Sequence, residues 1–155
     1  MNVKVYSKPK MQAAIEQNLL PKNLAVISFY NEPIIVFSKP IDYSGVVDRF
    51  MQVNLPDIDE QGFKEFGYTA SSFFKEADVV AEFIYKAYND GFDFVCQCQF
   101  GFSRSAACAA AILEHFEGRG NEILSNKNYQ PNKFIYEKLL KALEKQQVNQ
   151  QRGTK

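Results

Sequence analysis

The chain has 155 residues, and its 18 acidic side chains balance its 18 lysines and arginines, so its formal net charge is zero. A neutral chain has no overall electrostatic attraction to nucleic acid or to anionic membranes, and we expect neither as a partner. The start of the chain lacks the long apolar run of a signal peptide, and no stretch is long enough to span a bilayer.

Strand-like segments dominate the first third of the chain. Three of them are predicted: Met1–Tyr6 as an edge strand, Leu24–Tyr30 and Arg49–Leu55. The second is apolar almost throughout, as a parallel strand covered on both faces would be. A helix begins at Ser7 and ends before Pro21. Residues 34–37 and 39–45 predict a loop or a short strand.

Helices dominate the remainder. An acidic cluster at 57–60 precedes residues 61–72, which predict a loop or a single helical turn. One more strand, Phe92–Val95, is predicted in the middle of this part. The helical segments are Ser72–Tyr88, Ser105–Leu113, Asn121–Ser125 and a last helix that begins at Pro131–Asn132.

Alternating strands and helices predict an α/β domain of three layers, with a mostly parallel central sheet flanked by helices. We expect one domain over residues 1–145, followed by a polar, glutamine-rich tail at 146–155 that is disordered. Ligands of such sheets bind at the carboxyl ends of the strands. Cys98 and Asp57 each follow a predicted strand, so we expect them at the same edge of the sheet.

The segment between the Phe92–Val95 strand and the next helix holds a cysteine, five residues and an arginine. A loop that ends at a helix N-terminus can direct several backbone N–H groups toward one anion. Cys98 at its base would then have a lowered pKa and react as a thiolate. Arg104 can bind two oxygens of a tetrahedral anion with its planar guanidinium. Gly101 lies where the backbone must approach that anion.

In this context, the Gly-x-Ser-Arg-Ser pattern of residues 101–105 resembles the cysteine-dependent protein tyrosine phosphatase superfamily, most closely its compact dual-specificity-like members. The resemblance extends over most of the chain. Leu55-Pro56-Asp57-Ile58, the long helix, the cysteine loop and Tyr129-x-Pro-Asn132 follow in the order seen in small prokaryotic predicted tyrosine phosphatases. Gln97 departs from the pattern, because these families usually carry a histidine there, which helps to fix the loop and tune the thiolate.

The resemblance implies a phosphomonoester hydrolase of the phosphatase (cysteine-x5-arginine) type that acts through a phosphocysteine. Cys98 would attack phosphorus, and Ser105 would hydrogen-bond its sulfur. Asp57, about 40 residues upstream as in similar compact phosphatases, would be the general acid. Asp59 is the second choice and Glu60 the third. Arg104 and the loop would bind the phosphate oxygens, with these residues in contact: Gln99, Phe100, Gly101, Phe102, Ser103 and Arg104.

Several alternatives remain open at this point. The same fold could serve a phosphoinositide, a nucleotide or another small phosphate, although the loop has no cation besides Arg104, which favours an aryl phosphate. A sulfurtransferase is a weaker option. A phosphate-binding module with little catalysis is another, since Gln97 replaces the usual histidine. We expect a phosphoprotein or a small phosphate ester as substrate and predict no oligomeric state.

The mechanism requires no cofactor. His115 is the single histidine, and the chain has no histidine and cysteine ligand cluster that would indicate a metal site. Three cysteines in a chain of this length do not suggest a disulfide framework, so we expect a reducing, cytoplasmic environment.

Overall fold

The computed structural model describes residues 1–31 and 39–153. Within these residues there are four strands, β1 (Val3–Ser7), β2 (Leu24–Tyr30), β3 (Arg49–Asn54) and β4 (Asp93–Cys98). The helices are α1 (Lys8–Glu16), α2 (Glu60–Phe66), α3 (Ala77–Asn89), α4 (Arg104–Glu117), α5 (Asn121–Leu124) and α6 (Lys133–Gly153). None of these helices has both the length and the apolar character needed to cross a membrane.

The four described strands form one parallel sheet in the order β1-β4-β2-β3. The predicted α/β fold with a parallel sheet is therefore confirmed, and β1 is an edge strand as expected. β4 lies in the interior of the sheet, between β1 and β2. Its carboxyl end, at Cys98, is therefore enclosed by neighbouring strands rather than exposed at an edge.

Side chains of β4 alternate between two apolar layers, as the twofold period of a strand requires. Phe94, Cys96 and Cys98 belong to the larger core, which α3, α4 and α6 complete. Val95 belongs to a smaller core on the other face, formed with Met11 of α1 and the buried Tyr43. Because of this alternation, the side chains of Gln97 and Cys98 lie on opposite faces of the sheet.

Two helices differ from the sequence prediction for local reasons. The helix expected from Ser72 begins only at Ala77, because Phe74 has a left-handed backbone with φ of 53° that interrupts a helix. The segment after the acidic cluster, predicted as a loop or a single turn, contains the seven-residue helix α2. The Asp59 side chain caps α2 by accepting a hydrogen bond from the Gly62 amide, and the left-handed Gly67 ends it.

The polar tail is a further correction. The sequence predicts a disordered tail at 146–155, but α6 continues through Gly153. A helix that is already nucleated extends at little cost through residues such as Gln and Lys. Side-chain contacts with α3 support the extension: Lys145 pairs with Asp78, and Asn89 donates to Gln150 Oε1 at 3.1 Å. The residues at 39–45 form a loop, and the prediction for 34–37 lies outside the described residues.

Candidate functional site

One turn of backbone joins the interior strand β4 to helix α4. Cys98 is the last residue of β4 and is 2% exposed, and Arg104 is the first residue of α4. The five residues between them therefore pass directly over the N-terminus of a fourteen-residue helix. The unsatisfied N–H groups and the positive end of the helix dipole make this position favourable for an anion.

Hydrogen bonds from outside the loop hold its carbonyl groups. The Cys98 carbonyl accepts from Gln97 Nε2 at 2.8 Å, and the Gln99 carbonyl accepts from the Lys8 amide at 3.1 Å. On the other side, the Phe102 carbonyl accepts from the Gln130 amide at 3.0 Å. In a trans peptide the N–H points opposite to the C=O. Each of these contacts therefore points the N–H group of the following loop residue away from the donor that binds the carbonyl.

The Cys98 sulfur is the focus of several donors. Burial by itself raises the pKa of the Cys98 thiol, but hydrogen bonds from the Ser105 hydroxyl and from the Ser105 and Phe102 amides lower it, as does the Arg104 charge. The net pKa lies below the ordinary value. Ser105 Oγ is 3.0 Å from the sulfur and is fully buried. These donors and the Arg104 charge favour the thiolate over the neutral thiol.

The other two thiols differ. Cys96 lies on the same face of β4 but is fully buried, and burial together with the neighbouring Cys108 raises its pKa well above the ordinary value. Cys108 is also buried, within α4. Thiolate formation is therefore easier at Cys98 than at Cys96.

The Arg104 side chain is largely buried, with 9% of its surface exposed. One terminal nitrogen donates to the Leu55 carbonyl at 2.8 Å, which ties the guanidinium to the end of β3. Its Nε atom is buried and has no hydrogen-bond partner among the described residues. A buried donor without a partner costs free energy on the order of 1–3 kcal/mol, and an anion bound in the loop would satisfy it.

Of the three acidic candidates, the structure brings Asp57 to the loop. Its Oδ1 accepts from Ser103 Oγ at 2.7 Å and from Asn132 Nδ2 at 2.9 Å. Asp59 instead caps α2, and Glu60 is an exposed residue in the first turn of that helix. Both of these hydrogen bonds fall on Oδ1, and the Asp57 side chain is exposed to solvent.

The sequence predicts Asn132 as the start of the last helix. It does begin α6, since its Oδ1 accepts from the Phe134 and Ile135 amides at 3.0 and 3.1 Å. In addition, its Nδ2 donates to Asp57 and to the Ile58 carbonyl. Asn132 thus joins the N-terminus of α6 to the segment that carries the candidate acid. The Pro-Asn pair was visible in the sequence, but its contact with residue 57 was not.

The mouth of the site is aromatic. Phe100 is 80% exposed and Phe102 is 42% exposed, so both rings stand out from the loop. A groove of about 730 Å³ borders the loop on the Asp57 side, where Phe102 and Asn132 line it. A flat ring attached to a bound phosphate could therefore contact apolar surface without entering a deep pocket.

Gly101 is the loop residue that no other residue type can replace without a shift. Its φ is 63°, in the left-handed region, and a Cβ atom there would lie 2.5 Å from the Ser7 backbone nitrogen. The loop therefore packs directly against the junction of β1 and α1. Gln99 and Ser103 complete the turn as half-buried residues.

The overall fold has counterparts among solved structures. No protein-family model matches the chain, and no curated protein sequence matches it significantly. The fold, however, is similar to that of human DUSP28, with a TM-score of 0.60 and 16% identity over 95% of this chain and 94% of that one. A mouse putative dual specificity phosphatase complexed with zinc tungstate gives a TM-score of 0.54 and 17% identity over 88% and 79% of the two chains.

A third similar structure is PTPMT1 in complex with PI(5)P, with a TM-score of 0.54 and 15% identity over 96% and 94% of the two chains. The chain therefore has the fold of the cysteine-dependent tyrosine phosphatases, in the compact version seen in dual-specificity phosphatases. The resemblance read from the cysteine loop is confirmed at the level of the fold.

Proposed function

We propose that this chain is a phosphomonoesterase that removes phosphate from phosphotyrosine-like substrates through a phosphocysteine intermediate. The observation that carries the proposal is the presence, in one turn, of a Cys98 thiol of lowered pKa and a buried Arg104 Nε that has no hydrogen-bond partner within the described part of the chain. A nucleophile and a cationic donor at one helix N-terminus are what displacement at a phosphate dianion needs.

The proposed reaction has two steps. In the first, the Cys98 thiolate forms an S–P bond, the P–O bond to the substrate breaks, and Asp57 gives its proton to the departing oxygen. Arg104 and the amides of residues 99–104 bind the three equatorial oxygens. In the second, Asp57 takes a proton from a water molecule that attacks phosphorus, and the sulfur leaves as a thiolate, which the Ser105 hydroxyl stabilises.

An aryl phosphate suits the mouth of the site better than a polyanionic ligand does. The exposed rings of Phe100 and Phe102 offer faces against which an aromatic leaving group can pack. Apart from Arg104, the loop carries no lysine or arginine that could bind a second phosphate. We therefore favour a phosphoprotein or small aryl phosphate over a phosphoinositide, even though one similar fold, PTPMT1, was solved in complex with PI(5)P.

The test compares wild type with Cys98→Ser and Arg104→Ala in the hydrolysis of an aryl phosphate. Cys98→Ser should abolish turnover, since an alkoxide does not form at neutral pH. Arg104→Ala should lose both turnover and oxyanion affinity. Vanadate should inhibit wild type competitively. Cys108→Ala is the matched control, because it removes a buried thiol of α4 that interacts with Cys96, in the middle of β4.

Rapid quenching of wild type with an aryl phosphate should also trap one phosphate per chain on Cys98. Wild type that binds vanadate without any turnover would contradict the enzymatic proposal and favour a phosphate-binding module. Faster hydrolysis of a phosphoinositide than of any aryl phosphate would contradict the assignment of substrate class.

A further inference from the structure

Gln97 is a polar residue enclosed in the smaller core. It is 3% exposed, and its side chain has partners at both ends. Its Oε1 accepts from Ser28 Oγ at 2.5 Å and from Tyr43 Oη at 2.8 Å, and its Nε2 donates to the Cys98 carbonyl at 2.8 Å. Ser28 lies directly opposite Gln97 in the register of β2 and β4, whereas Tyr43 comes from the loop before β3.

The direction of each hydrogen bond in this network follows from which atoms carry a hydrogen to donate. The Cys98 carbonyl has no hydrogen to give, so the amide end that faces it must be the NH2 group. The opposite end is then the oxygen, and the hydroxyls of Ser28 and Tyr43 must donate to it. Reversing the amide would place two acceptor oxygens against each other inside the core.

We infer that Tyr43 and Ser28 are positioning residues that act through Gln97 on the cysteine loop, an inference that rests on the proposed phosphatase function. By donating to Oε1 they hold the amide in the orientation that binds the Cys98 carbonyl. The carbonyl in turn fixes the plane of the Cys98–Gln99 peptide. The N–H of Gln99, opposite to that carbonyl, is thereby directed toward the bound oxyanion.

The three hydrogen bonds run in one direction, which strengthens each of them. A donor to Oε1 draws electron density from the amide, so Nε2 becomes a better donor, and the peptide that accepts from it presents a more positive N–H. Burial raises the pKa of Tyr43 to about 12, although the Ser28 hydroxyl beside it lowers it somewhat. Tyr43 therefore keeps its proton under the conditions of a phosphatase assay.

The test uses the full chain with Tyr43→Phe, Gln97→Met and the double variant. Two measurements do not need turnover: the Kd of tungstate, and the pH midpoint of Cys98 alkylation by iodoacetamide. Each single variant should weaken tungstate binding about three- to tenfold and raise the alkylation midpoint. Tyr43 acts through Gln97. Adding Tyr43→Phe to Gln97→Met should therefore change the tungstate Kd less than twofold further and shift the alkylation midpoint little further.

Tyr85→Phe is the matched control. It also removes a half-buried tyrosine hydroxyl contact, to His115, but that contact lies away from the loop, so tungstate affinity should stay at the wild-type value. Ser28→Ala is a second and smaller perturbation, and it should weaken tungstate binding in the same direction as Tyr43→Phe.

Unchanged tungstate affinity and alkylation midpoint in folded Gln97→Met would overturn the inference. So would full additivity of Tyr43→Phe and Gln97→Met, since it would mean that Tyr43 acts independently. Failure of the proposed function looks different: wild type would bind tungstate and respond to these substitutions as expected but would hydrolyse no phosphate ester.

Discussion

Replacing Ser105 with alanine removes one hydroxyl from the Cys98 sulfur and little else. Ser105 is fully buried, and its Oγ lies 3.0 Å from Sγ. A hydrogen bond to a charged acceptor contributes about 1.5–3 kcal/mol, and one pKa unit corresponds to about 1.4 kcal/mol. We therefore expect Ser105→Ala to raise the pKa of the Cys98 thiol by about 1 to 2 units.

The pKa of Cys98 should rise because the Ser105 hydroxyl favours the charged form of the sulfur. The hydroxyl donates to the thiolate, so it stabilises the charged form, and its loss favours the neutral thiol. Alkylation by iodoacetamide measured against pH should show the midpoint moving upward. Between the two midpoints the variant should react more slowly than wild type, and well above both the rates should converge.

The same substitution should slow the second chemical step, since the hydroxyl also stabilises the sulfur as it leaves phosphorus. A burst of aryl alcohol followed by slow turnover in rapid-mixing experiments would reveal this. Cys108→Ala serves as the control, because it removes a buried polar atom one turn further along α4. An alkylation midpoint for folded Ser105→Ala that matches wild type would refute the reasoning.

Four further predictions concern the loop and its surroundings. Asp57→Ala should lower kcat most for poor alkyl leaving groups. It should also remove the fall in rate with rising pH that reports loss of the proton from the general acid. Asp59→Ala should leave that pH dependence unchanged but destabilise the fold by about 1 kcal/mol through loss of the α2 cap, seen in urea unfolding; loss of the fall in rate in this variant would move the acid to residue 59. Asn132→Ala should reproduce part of the Asp57→Ala leaving-group dependence, and an effect equal for alkyl and aryl esters would contradict its role in holding that carboxylate. Gly101→Ala should abolish tungstate binding, because its Cβ would meet the Ser7 backbone; wild-type affinity would show that the loop can move aside.

The parts of the site that could be predicted are those that the chain places close together. Cys98, Arg104 and Ser105 lie close together in the chain, between a predicted strand and a predicted helix, so this pattern places them in one turn. Asp57 could be anticipated because the carboxyl ends of parallel strands share one edge of the sheet. Its role as the acid stays a prediction, but its contact with Ser103 of the loop is observed.

Tertiary contacts supplied what the sequence could not indicate. Tyr43 lies in a segment without a periodic pattern of apolar residues. Nothing in the neighbouring sequence indicates that its hydroxyl contacts Gln97 in the smaller core. Asn132 has the pattern of a helix cap, which it is, and its second function depends on where α6 begins relative to Asp57. The left-handed backbone at Phe74 has no local signal either, because a phenylalanine there is favoured only by the core that buries its ring.

The loop carbonyls accept hydrogen bonds from Gln97 within β4, from Lys8 at the start of α1 and from Gln130 ahead of α6. Ligand affinity is therefore a property of the assembled fold, and the excised loop peptide should bind no oxyanion. Conversely, oxyanion binding should slow hydrogen exchange at the Lys8 and Gln130 amides, which are 90 and 32 residues from Cys98 along the chain. Opening of the first helix or of the segment before the last one would weaken binding from a distance, without any change to the residues that contact the phosphate.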